Sequence, residues 1–205
     1  MKKKLVTFAV LSVILMFQGF ALNNPAKSSG KAHQSKSASA KNHPELRIMA
    51  HGKTPPERLK RFMLSNNDQA DTNIVKRLVR YYIIESNREG VNYEVAFCQM
   101  CLETGFLRFE GSVSRFQNNY CGLGCVDICS QGDWFASMEE GVKAHVQHLK
   151  AYASLEPVRG PLVDPRFDNV RRGSVNKVTE LTGKWAGDPE YGQKISALIH
   201  RLYTY

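Results

Sequence analysis

After residue 17 the sequence has no apolar run that could cross a membrane, which would need roughly 20 apolar residues. The apolar segment from Leu5 to Phe17 is itself too short for a comfortable span. It follows Lys2-Lys3-Lys4 and precedes the small residues Gly19 and Ala21, an order typical of a secretory signal peptide. We therefore predict a signal peptide over residues 1–21, membrane contact only through it, and a periplasmic or secreted protein. The alternative is a retained anchor or a lipoprotein, although no cysteine lies near Ala21 to accept a lipid.

Residues 22–55 contain little that a folded domain could bury. They are rich in Lys, Ser, Ala, Asn and Gly, and such a segment cannot offset the entropy lost on ordering. We expect a flexible linker there. Residues 56–205 are enough for one ordinary domain with its own core, and we expect a single domain and a monomer.

Acidic residues are few: 19 stand against 28 basic residues, for a formal charge of +9. Loss of Lys2, Lys3 and Lys4 with the signal peptide would leave the chain basic. A basic exported protein suits an anionic envelope polymer. The basic residues do not form a stripe with interleaved aromatic residues, and together with export this argues against a nucleic-acid partner.

The sequence also lacks the ligand spacings of common metal sites. Its five cysteines allow at most two disulfides, and Cys125 with Cys129 is the better candidate pair. Cys98 and Cys101 lie on a predicted helix, where we expect them to be small core residues. A cysteine zinc site and a metal site at His145 and His148 both lack suitable spacing or a third ligand. We predict no metal and no cofactor.

Convincing strand pairs are absent, and one short hairpin near residues 123–135 is the exception. Helical periodicity predicts five or six helices instead. Five helix starts carry capping signals, at Thr54, Thr72, Asn92, Ser137 and Asp188. The sequence thus predicts a mainly α (α+β) domain with a loop lobe, residues 106–134, in which periodicity fails. A loop of this length in a compact domain is more often functional than idle.

Glu103 stands at the end of an apolar predicted helix, just before Gly105. A helix C-terminus carries partial negative charge and favours cations, so an acid is poorly placed there. A catalytic role is one explanation, and a solvated helix end is the other. Gln99 lies four residues earlier, on the same helix face, and is predicted to be a hydrogen-bonding neighbour. In the loop lobe, Asn118 and Asn119 precede Gly122 in a segment that plain turn chemistry also explains.

Four segments, in order, resemble the bacterial glucosaminidase domain, family 73 of the glycoside hydrolases. They are a helix ending in Leu-Glu-Thr-Gly, an Asn-Asn turn followed by glycine, a Phe-Ala-Ser helix start and a Trp-Ala segment followed by Asp-Pro-Glu-Tyr. These segments are residues 96–105, 118–122, 135–142 and 185–195. The resemblance covers about residues 70–204 and implies a lysozyme-like fold acting on peptidoglycan.

The resemblance also implies site residues. Glu103 would be the general acid that protonates the glycosidic oxygen, and burial beside apolar neighbours would raise its pKa. The implied substrate-binding residues are Gln99, Asn118, Asn119, Tyr120, Trp185 and Tyr191. For Trp185, sugar stacking and core packing both remain open.

The second catalytic group is the weak point of this assignment. Glycoside hydrolysis generally uses two carboxylates. The loop lobe offers Asp127 and Asp133, and Asp127 lies marginally nearer the position expected from the family. Assistance by the N-acetyl group of the substrate would need neither. Cys121 after Tyr120 departs from the family pattern, which has an aromatic residue there.

Our leading hypothesis is an exported endo-β-N-acetylglucosaminidase that cleaves the N-acetylglucosaminyl linkage of peptidoglycan, with Glu103 as its acid and Asp127 as the tentative second group. Lytic transglycosylase-like cleavage, which also uses one catalytic Glu, is an alternative. A non-catalytic cell-wall-binding module on the same fold is the other.

Overall fold

The computed structural model describes residues 46–125 and 131–205 and is mostly helical, as predicted. The predicted signal peptide, most of the predicted linker, and Asp127 and Cys129 lie outside the described residues. Five α-helices occur within the described ranges: α1 Pro56–Asn66, α2 Thr72–Glu89, α3 Tyr93–Glu103, α4 Met138–Ala153 and α5 Tyr191–Thr204. Short 3-10 turns cover Arg115–Gln117, Phe167–Asn169 and Val178–Leu181.

Helix α3 is the central element. Every residue from Tyr93 to Cys101 is buried, because α2, α4 and α5 pack around it. A helix that is apolar on all sides needs such enclosure. The Asn92 side chain accepts a hydrogen bond from Glu94 N and caps the helix, as predicted. The cap therefore fixes the start of α3, and the surrounding helices position its end, where Glu103 lies.

Three predicted helix starts differ from the structure. Helix α1 is preceded by Pro55 without a side-chain cap, and the Thr54 hydroxyl donates to Glu94 instead. Asp71, not Thr72, caps α2, since its carboxylate accepts from the backbone N–H groups of Asn73 and Ile74. Helix α5 begins at Tyr191 and not beside Asp188, because the Asp188 carboxylate accepts from Glu190 N in a preceding turn. Ser137 caps α4 as predicted.

The domain begins earlier than the predicted linker boundary at residue 55. Ile48 is fully buried; its N–H donates to Asn176 O at 3.0 Å, and its carbonyl accepts from Asn92 N at 2.8 Å. Thr54 is also buried and donates through its hydroxyl to the Glu94 carboxylate. Residues 46–54 are therefore part of the folded domain, because backbone pairing buries the few apolar side chains they contain.

The predicted hairpin near residues 123–135 is not observed in the part of it that the structure describes. Asp133 N donates to Leu123 O at 2.7 Å, but no strand forms there. Elsewhere in the described ranges, β-pairing is limited to isolated bridges, such as the one between Met49 and Val91. The loop lobe is thus held by side-chain and turn hydrogen bonds.

The cysteines of α3 agree with the prediction. Cys98 and Cys101 are fully buried core residues, and the four described cysteines are unpaired. The predicted partner of Cys125 lies outside the described ranges. Within residues 46–125 and 131–205, no helix has the length and apolarity that a membrane crossing requires.

An ion pair lies in the core between α2 and α4. Lys150 Nζ is 2.8 Å from Glu89 Oε2, and both side chains are fully buried. The Glu89 carboxylate also accepts from Arg159 N at 3.0 Å. The charges are therefore paired and hydrogen-bonded, which burial demands.

Candidate active site

Glu103 is the last residue of α3 and is only partly exposed. Burial raises the pKa of its carboxyl group from 4.5 to about 7, although hydrogen bonds from the side chains of Tyr191 and Trp185 act in the opposite direction. Tyr191 donates to Glu103 Oε1. Near neutral pH a large fraction of Glu103 therefore carries a proton that it can transfer.

A left-handed turn follows Glu103 directly. Gly105, Phe106 and Leu107 have φ values of 57°, 56° and 66°. Such angles cost bulky L-residues roughly 1–2 kcal/mol each. Two hydrogen bonds hold the turn, from Phe106 N to Cys101 O and from Leu107 N to Thr104 Oγ1. Strained backbone of this kind is often found at functional sites, and here it ends α3 immediately after the acid.

A chain of buried hydrogen bonds, which we call the relay, leads from Glu103 into the core. Tyr191 accepts from Gln99 Nε2 at 2.7 Å, and Gln99 Oε1 is 3.0 Å from His145 Nε2. His145 Nδ1 is 2.9 Å from the Tyr82 hydroxyl. The relay therefore connects α3, α5, α4 and α2.

Gln99 does not contact Glu103 directly, contrary to the neighbour relation predicted from helix spacing. It is fully buried, and its two amide atoms bond to Tyr191 and His145. Tyr191 occupies the position between the two α3 side chains. Gln99 thus reaches Glu103 through one intermediate hydroxyl group.

Trp185 packs beside the relay. Its ring lies 5.7 Å from that of His145, 5.0 Å from that of His148 and 5.6 Å from that of Tyr152, between centroids. Only 6% of the residue is exposed. The sequence left both sugar stacking and core packing open for Trp185, and in the structure its ring packs in the core. The Trp185 side chain also forms a hydrogen bond to Glu103.

The predicted Asn-Asn turn places Gly122 next to Glu103. Asn119 is fully buried; its Oδ1 accepts from Leu123 N at 3.1 Å, and its Nδ2 donates to Leu123 O at 2.8 Å. This is the turn chemistry that the sequence left open. It places Gly122 so that a Cβ added there would lie 3.7 Å from Glu103 Oε2. The oxygen that Tyr191 does not bond thus faces a residue without a side chain.

Asn118 and Tyr120 are held by the protein on either side of Asn119. Asn118 Nδ2 donates to Phe135 O at 3.0 Å. Its carbonyl approaches α4 so closely that a Cβ on Gly141 would be 1.7 Å away, so only glycine fits there. Tyr120 is buried, and its ring packs 6.3 Å from that of Phe109. The turn is therefore anchored to α4 and to the loop lobe.

Asp133 is the described candidate for a second carboxylate, since Asp127 lies outside the described residues. Arg166 binds both Asp133 oxygens, with Nε 2.6 Å from Oδ2 and Nη2 3.2 Å from Oδ1. Burial raises the pKa of Cys125, and the charges of Glu103 and Asp133 raise it further.

The two histidines of α4 have separate partners. Burial lowers the pKa of His145 to about 3, so the ring is neutral at physiological pH. His148 Nδ1 lies 2.8 Å from Asp164 Oδ2. The part of the chain that the structure describes contains no group of three His, Cys, Asp or Glu side chains suited to a metal ion.

Sequence reasoning gave Tyr82 no role in the site, and it interpreted His145 only as a packing or substrate-side hydrogen-bonding residue. It also did not single out two exposed aromatic residues of the loop lobe. For Tyr82 and His145 the available signal was a polar group on an apolar helix face; His145 falls in register with Val142 and Leu149. Phe116 and Trp134 are 76% and 63% exposed in the loop lobe. Their signal was large aromatic rings in a segment without periodicity.

Comparison with known proteins finds a matching family and a similar chain. The profile of the glucosaminidase family, described as mannosyl-glycoprotein endo-beta-N-acetylglucosaminidase, matches residues 79–204. An uncharacterised protein of Borreliella burgdorferi is 39% identical over 205 residues, which are 100% of this chain and 97% of that protein.

One solved structure is similar in fold. The crystal structure of Staphylococcus aureus autolysin E in complex with the muropeptide NAM-L-Ala-D-iGlu superposes with a TM-score of 0.51. The match covers 78% of this chain and 71% of that chain, at 13% sequence identity. The likeness confirms the predicted helical, lysozyme-like glucosaminidase fold.

Proposed function

The chain belongs to the glucosaminidase family, and we propose that it is an exported glycosidase that cleaves the N-acetylglucosaminyl linkage of peptidoglycan with Glu103 as general acid. The observation that carries this proposal is the position of Glu103 at the end of the buried central helix, where Tyr191 donates to Oε1 and burial raises the pKa of the carboxyl group to about 7. A carboxyl group that keeps its proton near neutral pH is what acid catalysis of glycoside cleavage requires. The muropeptide in the autolysin E structure supports peptidoglycan as the substrate.

The two oxygens of Glu103 have different surroundings, and this supports a division of roles. Oε1 accepts from Tyr191, while Oε2 faces Gly122. In the proposed reaction the Oε2 proton passes to the glycosidic oxygen as its bond to the anomeric carbon breaks. Glu103 is then left as a carboxylate, which the hydrogen bonds from Tyr191 and Trp185 stabilise.

Three groups are candidates for the second catalytic role, the attack on the anomeric carbon. Asp127 or Asp133 could activate water, or the N-acetyl group of the substrate could assist at the anomeric carbon. Export, predicted from residues 1–21, would bring the protein to the peptidoglycan. The exposed rings of Phe116 and Trp134 offer apolar surface on which sugar rings can stack.

The test is digestion of purified peptidoglycan followed by mass spectrometry of the fragments. Fragments with reducing N-acetylglucosamine ends would support the proposal. Anhydro-muramic ends would show transglycosylase-like cleavage instead. Intact glycan strands that nevertheless bind the protein would indicate a cell-wall-binding module.

Gly122→Ala tests the space in front of Glu103 Oε2. The added Cβ would lie 3.7 Å from that oxygen, so it would occupy space that the glycosidic oxygen needs. We expect kcat/KM to fall roughly ten- to a hundredfold, because small misplacements of reacting groups have effects of this size. The measurement is the rate of release of reducing ends from peptidoglycan.

Gly183→Ala is the matched control for backbone strain. Gly122 and Gly183 have φ values of 70° and 72°, but nothing lies within 4 Å of a Cβ at Gly183. Both variants should lose roughly 1–2 kcal/mol of folding stability, and only Gly122→Ala should lose activity beyond that. Equal activity in the two variants would contradict the assignment of Oε2 as the oxygen that transfers the proton.

A further inference from the structure

The relay ends at the hydroxyl group of Tyr82. Tyr82 is fully buried, and the described residues offer its hydroxyl group no hydrogen-bond partner other than His145 Nδ1. A buried hydroxyl that donates to nothing is costly, by roughly 1–3 kcal/mol. Tyr82 is therefore the donor, and His145 Nδ1 must be the acceptor.

This assignment determines every later hydrogen bond in the relay. His145 is neutral, so its single N–H is on Nε2 and donates to Gln99 Oε1. The Gln99 amide nitrogen then faces Tyr191 and donates to its hydroxyl oxygen. The Tyr191 hydrogen has one remaining direction, toward Glu103 Oε1.

We propose that Tyr82 and His145 are positioning residues, which direct the relay toward Glu103 and so keep its transferable proton on Oε2. With Oε1 accepting from Tyr191, the direction of the relay places the acidic proton of Glu103 on Oε2, the oxygen that faces Gly122, while Trp185 is a second donor to the carboxyl group. The role in turnover rests on the proposed function, whereas the direction of the hydrogen bonds does not.

The reversed relay shows what this direction prevents. With the Gln99 amide turned over, Tyr191 would donate to Gln99 Oε1, and protonated Glu103 would donate a hydrogen bond to the Tyr191 oxygen. The acidic proton would then lie on Oε1, buried against Tyr191 and away from Gly122. His145 would carry its N–H on Nδ1, and the Tyr82 hydroxyl hydrogen would be left without an acceptor.

Nitrogen-15 NMR of the histidine rings tests the direction without any need for activity. The wild-type protein should show His145 as the Nε2–H tautomer near neutral pH, and Tyr82→Phe should add signals of the Nδ1–H tautomer. Tyr81→Phe is the control, since it makes the same chemical change at a neighbouring, partly buried residue of α2. An Nδ1–H tautomer in the wild type, or no change in Tyr82→Phe, would overturn the proposal.

Kinetics test the positioning role. If the two directions become equally populated in Tyr82→Phe, kcat should fall about twofold or more with KM unchanged. The alkaline pKa of the pH–rate profile should rise, because the Tyr191 hydrogen bond that favours charged Glu103 is lost in part of the molecules. Tyr81→Phe should match the wild type in both respects.

A double variant separates positioning from simple destabilisation. In a Tyr191→Phe background the relay no longer reaches Glu103, so adding Tyr82→Phe should change neither kcat nor the alkaline pKa. An additive loss would overturn the positioning role. A wild-type protein that has the Nε2–H tautomer but does not cleave peptidoglycan would support the direction and overturn the proposed function together with the kinetic role.

Discussion

Glu103→Gln is expected to lower the rate of peptidoglycan cleavage by about 10²- to 10⁴-fold, the contribution typical of a general acid. Glutamine has nearly the same shape and can still accept the Tyr191 hydrogen bond, but it carries no proton of suitable acidity. The loss should therefore appear in kcat, with the fold intact. The measurement is the formation of new reducing ends under saturating substrate.

Two controls separate this loss from other causes. Glu110→Gln removes an exposed acid from the loop lobe that follows α3, and it should leave the rate unchanged. The pH dependence of stability gives a second readout, because Glu103 has a raised pKa in the native state. Its contribution to stability is present below about pH 4.5 and is lost as pH rises through about 7. Glu103→Gln should lose less stability than the wild type over that range, and undiminished cleavage by this variant would refute the acid assignment.

Lys150→Ala is expected to destabilise the fold by about 3–5 kcal/mol, because it leaves a buried carboxylate without its cation. The Lys150 ammonium and the Glu89 carboxylate are both fully buried and 2.8 Å apart. Arg159 N still donates to Glu89 in the variant, but one backbone hydrogen bond does not replace a full charge. Urea unfolding followed by circular dichroism measures the difference.

Lys194→Ala is the matched control for Lys150→Ala. It breaks an ion pair of 2.6 Å with Asp188, but the Lys194 side chain is 47% exposed. Exposed pairs contribute about 0–1 kcal/mol. If the two variants were destabilised equally, the buried pair would not have the structural importance that we assign to it.

The parts of the site that depend on neighbouring residues could be predicted from sequence. Asn92 and Ser137 cap their helices through bonds to residues two and three positions on, so local pattern identified both. The position of Glu103 at the end of α3 followed from the apolar run before it. Its catalytic role came from the family resemblance, since spacing alone also allowed a solvated residue.

The relay could not be predicted in this way, because its bonds join distant positions. Gln99 and Tyr191 are 92 residues apart, and Tyr82 and His145 are 63 residues apart. Helix spacing instead suggested direct contact between Gln99 and Glu103, where tertiary packing inserts the Tyr191 hydroxyl. The folded position of Ile48 was missed for a similar reason, since its partners are Asn92 and Asn176.

The central claim is that burial at the end of α3 raises the pKa of Glu103 to about 7. Carbon-13 NMR of glutamate side-chain carboxyl groups, recorded as a pH titration of the wild type and of Glu103→Gln, tests it most directly. We predict one resonance that titrates with a pKa of about 7 and is missing from the variant. A Glu103 resonance that titrates near its ordinary value of 4.5 would contradict the account.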